Sequence, residues 1–520
     1  MSIFESWQAL TEARLEAGEE VRTRSYRNLS PEDTVGAAPY SVVRAIDWTG
    51  GTPNGYTEAQ LPNGNYVFIH DSHRHLGVCW GIRGEPEVAG NPVENQTTRF
   101  NAFRDDAAAR LYTARLPAGR IRLDKMDLKD KNLIGLLGEG AEKTKIYAAM
   151  DLDGPEDRFL DCGYTGTDFV TPDSSILYAN IGGFSIRADG FNITWGATFN
   201  YFRRGQVDDI RLVDFQNAAR YSYSWLNLFS RIRAVNYYVL GHKITSSSNN
   251  GVTMTGLTAT TNRPGAVGYV SRGVTTVVLV SPDCEGTGND IGFEIENGRS
   301  WTIINPHIES PGNIFKITET PNNGLNLKII GGASFNCPES ISLNVPFEQL
   351  IIDGFAMHSV GPDFSEVLIR VNAKTCIINM SVYDDARTPM TQEELIAAIE
   401  VGSNVERLVV NGEVVNIGQS ASTYYDNLTP NPGNPVDIDM PEITAPASFE
   451  VFAQQRTSST NVSCVKWIAT VDESDVFADT ELGNVKNGVT NMVLNYNPAT
   501  KKLTMDAGTS PLIKINITEI

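Results

Sequence analysis

Two short segments of the chain carry ionisable residues with the same local spacing. Asp283 and Glu285 flank a cysteine, and 24 residues later His307 and Glu309 flank an isoleucine. Side chains alternate across an extended strand, so the two members of each pair share a face. If the chain coils with this period, Asp283 stacks on His307 and Glu285 on Glu309, about 4.8 Å apart. We therefore predict one outward-facing patch made of these four residues.

Such a patch holds the groups that glycoside hydrolysis requires, one carboxyl as acid and a second as base or nucleophile. Strand geometry puts Glu285 and Glu309 about 5 Å apart, which suits retention, and Asp283 and Glu309 about 7–8 Å apart, which suits inversion. Two close carboxylates resist joint ionisation, so one pKa should rise and supply the acid, while His307 tunes or relays the proton. Sugar or ion binding, or a merely solvated acidic face, stays as an alternative.

A second set of residues combines aromatic rings with arginines. Aromatic faces stack on sugar rings, and arginine pairs with the carboxylates of acidic sugars. The predicted substrate-binding residues are Arg203, Arg204, Tyr221, Tyr223, Trp225, Arg231, Arg233, Tyr237 and Phe355. Phe355 is expected, with Gly332, in the same column of coils as the acidic residues. The alternative is that many of these rings fill the interior or a subunit seam.

Two further segments have the residue types of known sites but the wrong spacing. Residues 70–75 contain three histidines without a helical HxxxH arrangement, which favours a polar surface loop over a metal site. In the segment 135–144, Gly140 and Lys143 are not adjacent, so it predicts a turn and not a phosphate-binding loop. We therefore predict no metal and no cofactor.

The elements that must hold these groups are indicated by a pattern that recurs about every 20 to 26 residues, the length of one solenoid coil. In it, an apolar run ends at a turn of small or polar residues. The copies are Val213-Asp214-Phe215, Val235-Asn236-Tyr237, Thr255-Gly256-Leu257, Ser281-Pro282-Asp283, Asn305-Pro306-His307, Ile330-Gly331-Gly332, Asp353-Gly354-Phe355, Asn379-Met380-Ser381 and Asn411-Gly412-Glu413. The runs before the turns are rich in Val, Ile and Thr, which favours strands. We predict an all-β protein built on a right-handed parallel β-helix.

Alternation along the strands predicts which side chains fill this β-helix. The residues expected to point inward are Val278, Val280, Pro282 and Cys284 in one coil and Ile304, Pro306 and Ile308 in the next.

Composition excludes some partners. The 520 residues carry a formal net charge of −20, and such a field repels nucleic acid and anionic membranes. No apolar run reaches 18 residues, which predicts no membrane insertion, and the first 20 residues lack the apolar core of a signal peptide. The six cysteines form no CxxC pair, so we expect free, buried thiols.

Changes in composition divide the chain into four parts. Residues 1–90 are expected to form a small α/β region that begins with a helix over 1–30. Residues 91–417 contain a helix near 95–115 and then the β-helix. Residues 418–447 are rich in Asn, Pro, Ser and Asp and predict a linker. Residues 448–520 alternate apolar and polar side chains and predict a C-terminal β-sandwich that covers the end of the coils and serves trimerisation or carbohydrate binding.

Short stretches near the start of the predicted β-helix carry a family resemblance. They are Leu116-Pro117-Ala118-Gly119-Arg120-Ile121-Arg122-Leu123, Leu136-Leu137-Gly138-Glu139-Gly140 with Thr144 and Ile146, and Glu20-Val21-Arg22-Thr23-Arg24-Ser25-Tyr26. This region resembles the pectate-lyase-like β-helix of bacteriophage tailspikes. The Asp-Asp-Thr usual before the family's helix is missing, and Asn95-Gln96-Thr97-Thr98 stands in its place.

The resemblance implies a homotrimer located in the phage tail and acting outside the cell at the host surface. Residues 1–90 would then dock to a tail or baseplate protein, and the ligand would be a bacterial surface polysaccharide. It implies no catalytic residues.

Together, the residues and the resemblance predict a depolymerase that cuts a capsule, exopolysaccharide or O-antigen by endo-glycosidic hydrolysis. Its catalytic residues would be Asp283, Glu285, Glu309 and His307. One alternative is a polysaccharide lyase that acts by β-elimination. Another is a receptor-binding fibre without turnover.

Overall fold

The chain divides into two units, which are described separately. One comprises Met1–Gly402 and Val409–Glu413, and the other Ser403–Leu408 and Val414–Ile520. The computed structural model describes residues 2–26, 36–50, 52–85, 94–129, 133–163, 179–200, 202, 205–224, 227–245, 252–286, 289–296, 298–309, 311–317, 324–337, 339–360, 369–415 and, beyond them, the backbone of further strands.

A five-stranded sheet with the order β1-β2-β3-β5-β4 forms the N-terminal region. Its elements are β1 (Ser2–Phe4), α1 (Trp7–Thr11), β2 (Glu20–Thr23), β3 (Pro39–Val43), β4 (Glu58–Gln60), β5 (Tyr66–Ile69) and α2 (Asp71–Arg74), with 3₁₀ turns at Ala45–Asp47 and Gly77–Trp80. The helix predicted over 1–30 is wrong, because α1 is a single short helix. Gly18 has a φ of 89°, a left-handed conformation that no α-helix contains, and β2 follows it. The apolar residues that suggested one helix, Trp7, Leu10 and Val21, do share one core.

The helix predicted near 95–115 is confirmed as α3 (Thr97–Arg110). It buries Phe100, Phe103 and Ala107, which lie on one helical face. Its C-cap, Leu111, adopts a left-handed conformation with a φ of 57° and ends the helix. The helix packs against the first strands of the coils that follow.

The coils form the predicted parallel β-helix. The strands are β6 (Thr113–Arg115), β7 (Gly119–Leu123), β8 (Met126–Asp127), β9 (Gly135–Leu137), β10 (Thr144–Ala148), β11 (Arg158–Gly163), β12 (Asn180–Arg187), β13 (Trp195–Asn200), β14 (Gln206–Val213), β15 (Asn217–Ser222), β16 (Leu228–Val235), β17 (Leu240–Thr245), β18 (Val252–Thr255), β19 (Thr258–Thr260), β20 (Ala266–Arg272), β21 (Val274–Val280), β22 (Asp283–Glu285), β23 (Asn289–Ile295), β24 (Gly298–Ile304), β25 (His307–Glu309), β26 (Asn313–Ile317), β27 (Asn326–Ile330), β28 (Ala333–Phe335), β29 (Glu339–His358), β30 (Ile369–Val382), β31 (Ile399–Val401), β32 (Arg407–Val410) and β33 (Glu413–Val415), with α4 (Gln392–Ala397) between β30 and β31. Neighbouring coils pair in parallel register.

One stack of strands carries the predicted acidic residues, and we call it the site sheet. It consists of β7, β10, the C-terminal halves of β12, β14 and β16, then β19, β22, β25 and β28, and the ends of β29 and β30. The coil interior beside it is aliphatic. Met254, Leu279, Ile303, Ile329, Ile352 and Ile378 follow one another in register and are fully buried. Each buried side chain of this size stabilises the fold by about 1.5–3 kcal/mol.

A left-handed residue stands two positions before the site sheet in most coils. These residues are Gly183, Asp209, Arg231, Gly256, Ser281, Asn305, Gly331 and Gly354, with φ between 49° and 72°. Gly, Asn and Asp adopt this conformation most readily, which explains the small or polar residue in the repeat. The backbone N–H of Ser281 donates to the carbonyl of Ile304 in the next coil at 2.7 Å, so the bend also joins the coils.

Two details of the predicted coils are wrong, and both concern the bends between strands. Asp214 and Asn236 are left-handed but follow the site sheet, so the first two copies of the repeat belong to a different bend. Alternation also does not continue through the bend before the site sheet. Leu279 and Ile303 are therefore the buried residues, while Val278, Val280 and Ile304 are partly exposed. The inward positions of Pro282, Cys284, Pro306 and Ile308 are confirmed.

The second unit contains two antiparallel sheets, with the orders β34-β41-β36-β37-β38 and β35-β40-β39. Its strands are β34 (Thr423–Leu428), β35 (Val436–Asp437), β36 (Ala447–Arg456), β37 (Val462–Val471), β38 (Phe477–Val485), β39 (Val493–Asn497), β40 (Lys502–Asp506) and β41 (Ile513–Glu519). The predicted linker at 418–447 thus includes β34 and β35. The β-sandwich stays a prediction.

The described cysteines agree with the sequence-based expectation. Cys79, Cys162, Cys284, Cys337 and Cys376 are free and buried, and the side chain of Cys464 lies outside the described residues. Among the described residues, no helix is long and apolar enough to span a membrane.

Candidate functional site

The acidic residues come together as predicted. The strand β22 pairs with β25, so that Asp283 lies opposite His307 and Glu285 opposite Glu309. The cysteine and isoleucine between them are fully buried, which turns all four ionisable side chains outward. We call these four residues the acid patch.

The groups of the acid patch converge on one solvent-facing point. The Nδ1 atom of His307 lies 2.8 Å from Oδ1 of Asp283 and 3.5 Å from Oε1 of Glu285. An oxygen of Asp283, an oxygen of Glu285 and a ring nitrogen of His307 all lie within 4.8 Å of one another. The side chains of Asp283, Glu285 and His307 are 26%, 40% and 45% exposed. A substrate in solution can therefore reach them.

The surroundings of Glu285 raise the pKa of its carboxyl group. Partial burial raises its pKa above the ordinary value, the charge of Asp283 raises it further, and Glu309 adds to the effect. The ring of His307 acts in the opposite direction. Glu285 thus keeps its proton to a higher pH than an exposed glutamate, as a general acid must.

The acid patch is also the one group among the described residues whose atoms could converge on a metal ion. Asp283, Glu285 and His307 would be the ligands, and carboxylate with imidazole suits a divalent cation. However, the Nδ1 atom of His307 already bonds to Asp283. The histidine therefore orients a carboxylate in this arrangement.

A buried tyrosine supports the acid patch from inside the coil. The phenol of Tyr269 lies 2.8 Å from the carbonyl of Asp283 and 2.7 Å from the carbonyl of Leu257 in the preceding coil. Its hydroxyl can donate to either, so it ties the strand of Asp283 to its neighbour. Sequence reasoning missed this residue because an inward tyrosine has no spacing that distinguishes it from core filling.

Three aromatic rings continue the column of Glu285 and Glu309. Phe335 lies opposite Glu309, and His358 opposite Phe335. The ring centroids of Phe335 and His358 are 5.0 Å apart, and those of His358 and Tyr383 are 4.7 Å apart, both stacked. All three rings are partly exposed. We call them the aromatic ladder.

Phe355, which was predicted to lie in this column, is 1% exposed, so its expected outward position is wrong. It directly follows the left-handed Gly354, and the register places Ala356 opposite Ala333 instead. Gly332 likewise precedes the residue that pairs with His307, which is Ala333. The sequence missed the aromatic ladder because its members are not evenly spaced.

The second predicted cluster is only partly on the surface. Tyr221 and Tyr237 are fully buried, so their predicted contact with a sugar is wrong. The ring of Tyr221 stacks on Phe199 at 5.6 Å, and its hydroxyl lies 3.1 Å from Nδ1 of the buried His242. Burial also lowers the pKa of His242 to about 4, so this interior group stays neutral at pH 7.

The remaining members of this cluster have three different placements. Arg203, Arg204 and Trp225 lie outside the described residues, and Tyr223 is half-buried. Arg231 and Arg233 face the solvent. Arg231 pairs with Asp208, and this contact lowers the pKa of that carboxyl. Their role in binding stays a prediction.

The histidines at 70–75 lie on and around α2 and do not gather into a site. The Nε2 atom of His70 is 2.8 Å from a carboxylate oxygen of Glu20. Arg74 is buried and its guanidinium bonds to Glu58 at 2.9 Å and to Asp106 at 3.4 Å, which ties α2 to β4 and α3. This segment therefore serves the packing of the N-terminal region.

Comparison with known proteins identifies the fold. No protein-family model matches the chain, and no curated protein matches it. The tailspike protein of Acinetobacter phage vB_ApiP_P1 is similar in structure, with 12% sequence identity, a TM-score of 0.50, and coverage of 100% of this chain and 98% of that one. The gp42 tailspike of Acinetobacter phage vb_AbaP_AS12 has 10% identity and a TM-score of 0.55 over 94% of this chain and 95% of that one. The predicted likeness to the tailspike β-helix is confirmed as a likeness of fold.

Proposed function

We propose that the protein is a bacteriophage tailspike that binds and depolymerises a bacterial surface polysaccharide by endo-glycosidic hydrolysis. The observation that carries the proposal is the acid patch, in which two carboxyl groups and a histidine meet on the outer face of a long β-helix. The fold supports the proposal, since the two similar structures are those of phage tailspikes.

The geometry supports a division of labour between two carboxyl groups. Glu285, with its raised pKa, donates its proton to the glycosidic oxygen as the bond from that oxygen to the anomeric carbon breaks. Asp283, held by His307, attacks the same carbon and forms a glycosyl-enzyme bond. Water, deprotonated by Glu285, then releases the sugar. An oxygen of each group lies within 4.8 Å of the other, so the pair is closer than the roughly 6.5–9.5 Å that leaves room for the water of an inverting reaction.

Glu309 and His307 act on the two carboxyl groups. Glu309 lies opposite Glu285 on the next strand, and its charge helps to keep Glu285 protonated. His307 bonds through Nδ1 to Asp283 at 2.8 Å, which positions this carboxylate for its attack.

The aromatic ladder supports binding of a sugar chain beside the acid patch. Its rings stack on one another and each of them is partly exposed, so a sugar chain can reach them. Phe335 lies 5.6 Å from the ring of His307, which joins the ladder to the acid patch. A chain aligned with the coil axis would contact both.

The assembly is part of the same proposal. We propose a homotrimer in the phage tail, with the N-terminal region docked to a tail or baseplate protein and the C-terminal unit clamping the subunits. Tailspike-like coils leave lateral faces that a second subunit can cover. Sedimentation of the purified protein at the mass of a monomer would contradict the trimer.

The test is incubation with purified capsule, exopolysaccharide and O-antigen from candidate hosts. New reducing ends without unsaturated uronate absorbance indicate hydrolysis, whereas that absorbance indicates the alternative, a lyase. Glu285→Gln and Glu309→Gln should each lower turnover by roughly a hundredfold or more. Glu400→Gln is the matched control, because Glu400 is an exposed acid on β31, paired with Arg370. Binding without cleavage of any polysaccharide would leave a receptor-binding fibre.

A further inference from the structure

Basic side chains line the N-terminal part of the site sheet, although the chain carries a net charge of −20. The residues are Arg120, Arg122, Lys145, Arg187, Arg211 and Arg233. They face outward and are all partly exposed. We call them the basic stripe. It occupies the same face as the acid patch, on the preceding strands.

The basic stripe includes like charges placed directly opposite each other. Arg120 faces Lys145, and Arg211 faces Arg233, on neighbouring strands. Such pairs are destabilising on a sheet surface. The same column holds the neutral Ser185 and Thr258, so the coil itself does not need a cation there. Acidic side chains of the chain itself offset part of this charge, since Arg122 pairs with Asp189 at 3.0 Å and Arg233 with Asp209 at 3.3 Å.

One carboxylate shows what the basic stripe can hold. An oxygen of Glu142 lies 3.2 Å from Arg211 and 3.3 Å from Arg233, so the two guanidinium groups share it. The side chain of Glu142 is 61% exposed, and ion pairs this open to solvent contribute little to stability. A carboxylate from outside can take the same place. Arginine is suited to this exchange, since its planar fork binds carboxylates through two parallel hydrogen bonds.

The position of the two arginines relates this surface to the acid patch. Arg233 pairs with Thr258, and Thr258 pairs with Asp283. Two strand steps amount to about 10 Å. A carboxylate held by the arginines thus lies beside the acid patch but does not enter it.

We propose that the basic stripe binds the carboxylates of an acidic polysaccharide, with Arg211 and Arg233 as its main clamp. This rests on the proposed function, because it takes a polysaccharide aligned along the site sheet. The substrate class is then a glycan that carries uronic acids or similar acidic sugars close to the bond that is cut.

The experiment measures binding in the full-length protein with Glu285→Gln, so that no probe is consumed. The probes are polygalacturonate as an acidic glycan, dextran as a neutral one, and double-stranded DNA as a polyanion of another class. Affinities are measured by calorimetry at low and moderate salt. Replacing both Arg211 and Arg233 with glutamine should weaken polygalacturonate binding about tenfold or more and reduce its dependence on salt. Dextran binding should not change.

Two further variants sharpen the test. Glu142→Gln removes the carboxylate that both arginines share, while Asp209 stays paired with Arg233, so polygalacturonate should bind more tightly, by several-fold. Arg370→Gln removes an exposed, paired arginine from a different stack of strands and should leave all affinities unchanged.

Several results would overturn the proposal. The proposal is wrong if the parent does not bind polygalacturonate, or if the double arginine variant binds it as tightly as the parent does. It is also wrong if the two substitutions weaken dextran binding equally, or if DNA binds as tightly as polygalacturonate and depends as strongly on these arginines. A change in sedimentation caused by the arginine substitutions would also overturn it, since the stripe would then be a subunit interface. If the arginine results hold while Glu285→Gln alone keeps full activity, the hydrolytic site is wrong and the binding surface stands.

Discussion

Replacing Glu285 with glutamine should lower turnover by roughly a hundredfold or more and, at the same time, stabilise the folded protein at neutral pH. The amide keeps the shape of the side chain but carries no charge, so the repulsion from Asp283 disappears. Oxygens of the two residues lie within 4.8 Å. Two full charges 4.8 Å apart, the upper limit of this distance, repel by about 0.9 kcal/mol in a water-like medium. Because the side chain of Glu285 is 40% exposed, salt and solvent reduce this to about 0.5 kcal/mol.

The gain in folding stability should depend on pH, and the raised pKa of Glu285 determines whether it grows or shrinks as pH rises. A carboxyl whose pKa is higher in the folded protein stabilises the fold most when it is protonated, and this contribution is lost as pH rises through its folded value. Glutamine does not ionise, so the variant lacks this pH-dependent contribution to stability. The variant and the parent should therefore match near pH 4, below the ordinary value of 4.5, and the variant should be more stable at pH 8.

Calorimetric unfolding between pH 4 and 8 measures this difference, which corresponds to a Tm increase of about 0.5–1 °C in a protein of this size. The control is Glu400→Gln, which removes an ion pair of 2.6 Å with Arg370 and should leave the Tm unchanged or lower it at pH 8. A glutamine variant at 285 that is less stable than the parent at pH 8, or whose difference from the parent does not vary with pH, would refute the electrostatic account of the acid patch.

Other predictions test the coils and the site separately. Ile303→Ala should cost about 2–5 kcal/mol in denaturant unfolding because it empties a fully buried position, whereas Ile304→Ala should cost less than about 1 kcal/mol; equal losses would contradict the assigned faces. Asn305→Val should destabilise by about 1–2 kcal/mol, because valine tolerates a φ of 49° poorly, and Asn305→Gly should be nearly neutral in the same assay. Initial rates should fall as pH rises through the raised pKa of Glu285, so a rate that starts to fall below pH 4.5 would count against its role as the acid. Tyr383→Ala should raise KM several-fold with kcat nearly kept, and an unchanged KM would remove the aromatic ladder from the binding site.

The β-helix and the register of the acid patch follow from the sequence alone. A left-handed bend residue recurs in most coils, and the runs around it are rich in β-branched side chains, so the coiling is visible as a period. Asp283 and His307 each stand two residues after such a bend, at Ser281 and Asn305. Because both residues stand at the same distance after bends that are 24 residues apart, counting 24 residues was enough to stack them.

Only the tertiary structure decided whether many other side chains point into the coil or toward solvent. A left-handed bend residue interrupts alternation, which is why Leu279 and not Val280 is buried, and why Phe355 turns inward beside Gly354. The local sequence around Tyr221 does not distinguish a sugar platform from core filling, since aromatic rings serve both purposes equally well. Coil lengths also vary along the chain, so the aromatic ladder and the basic stripe exist only where the register aligns them. Charge and burial around Glu285 depend on that alignment, and so does its pKa.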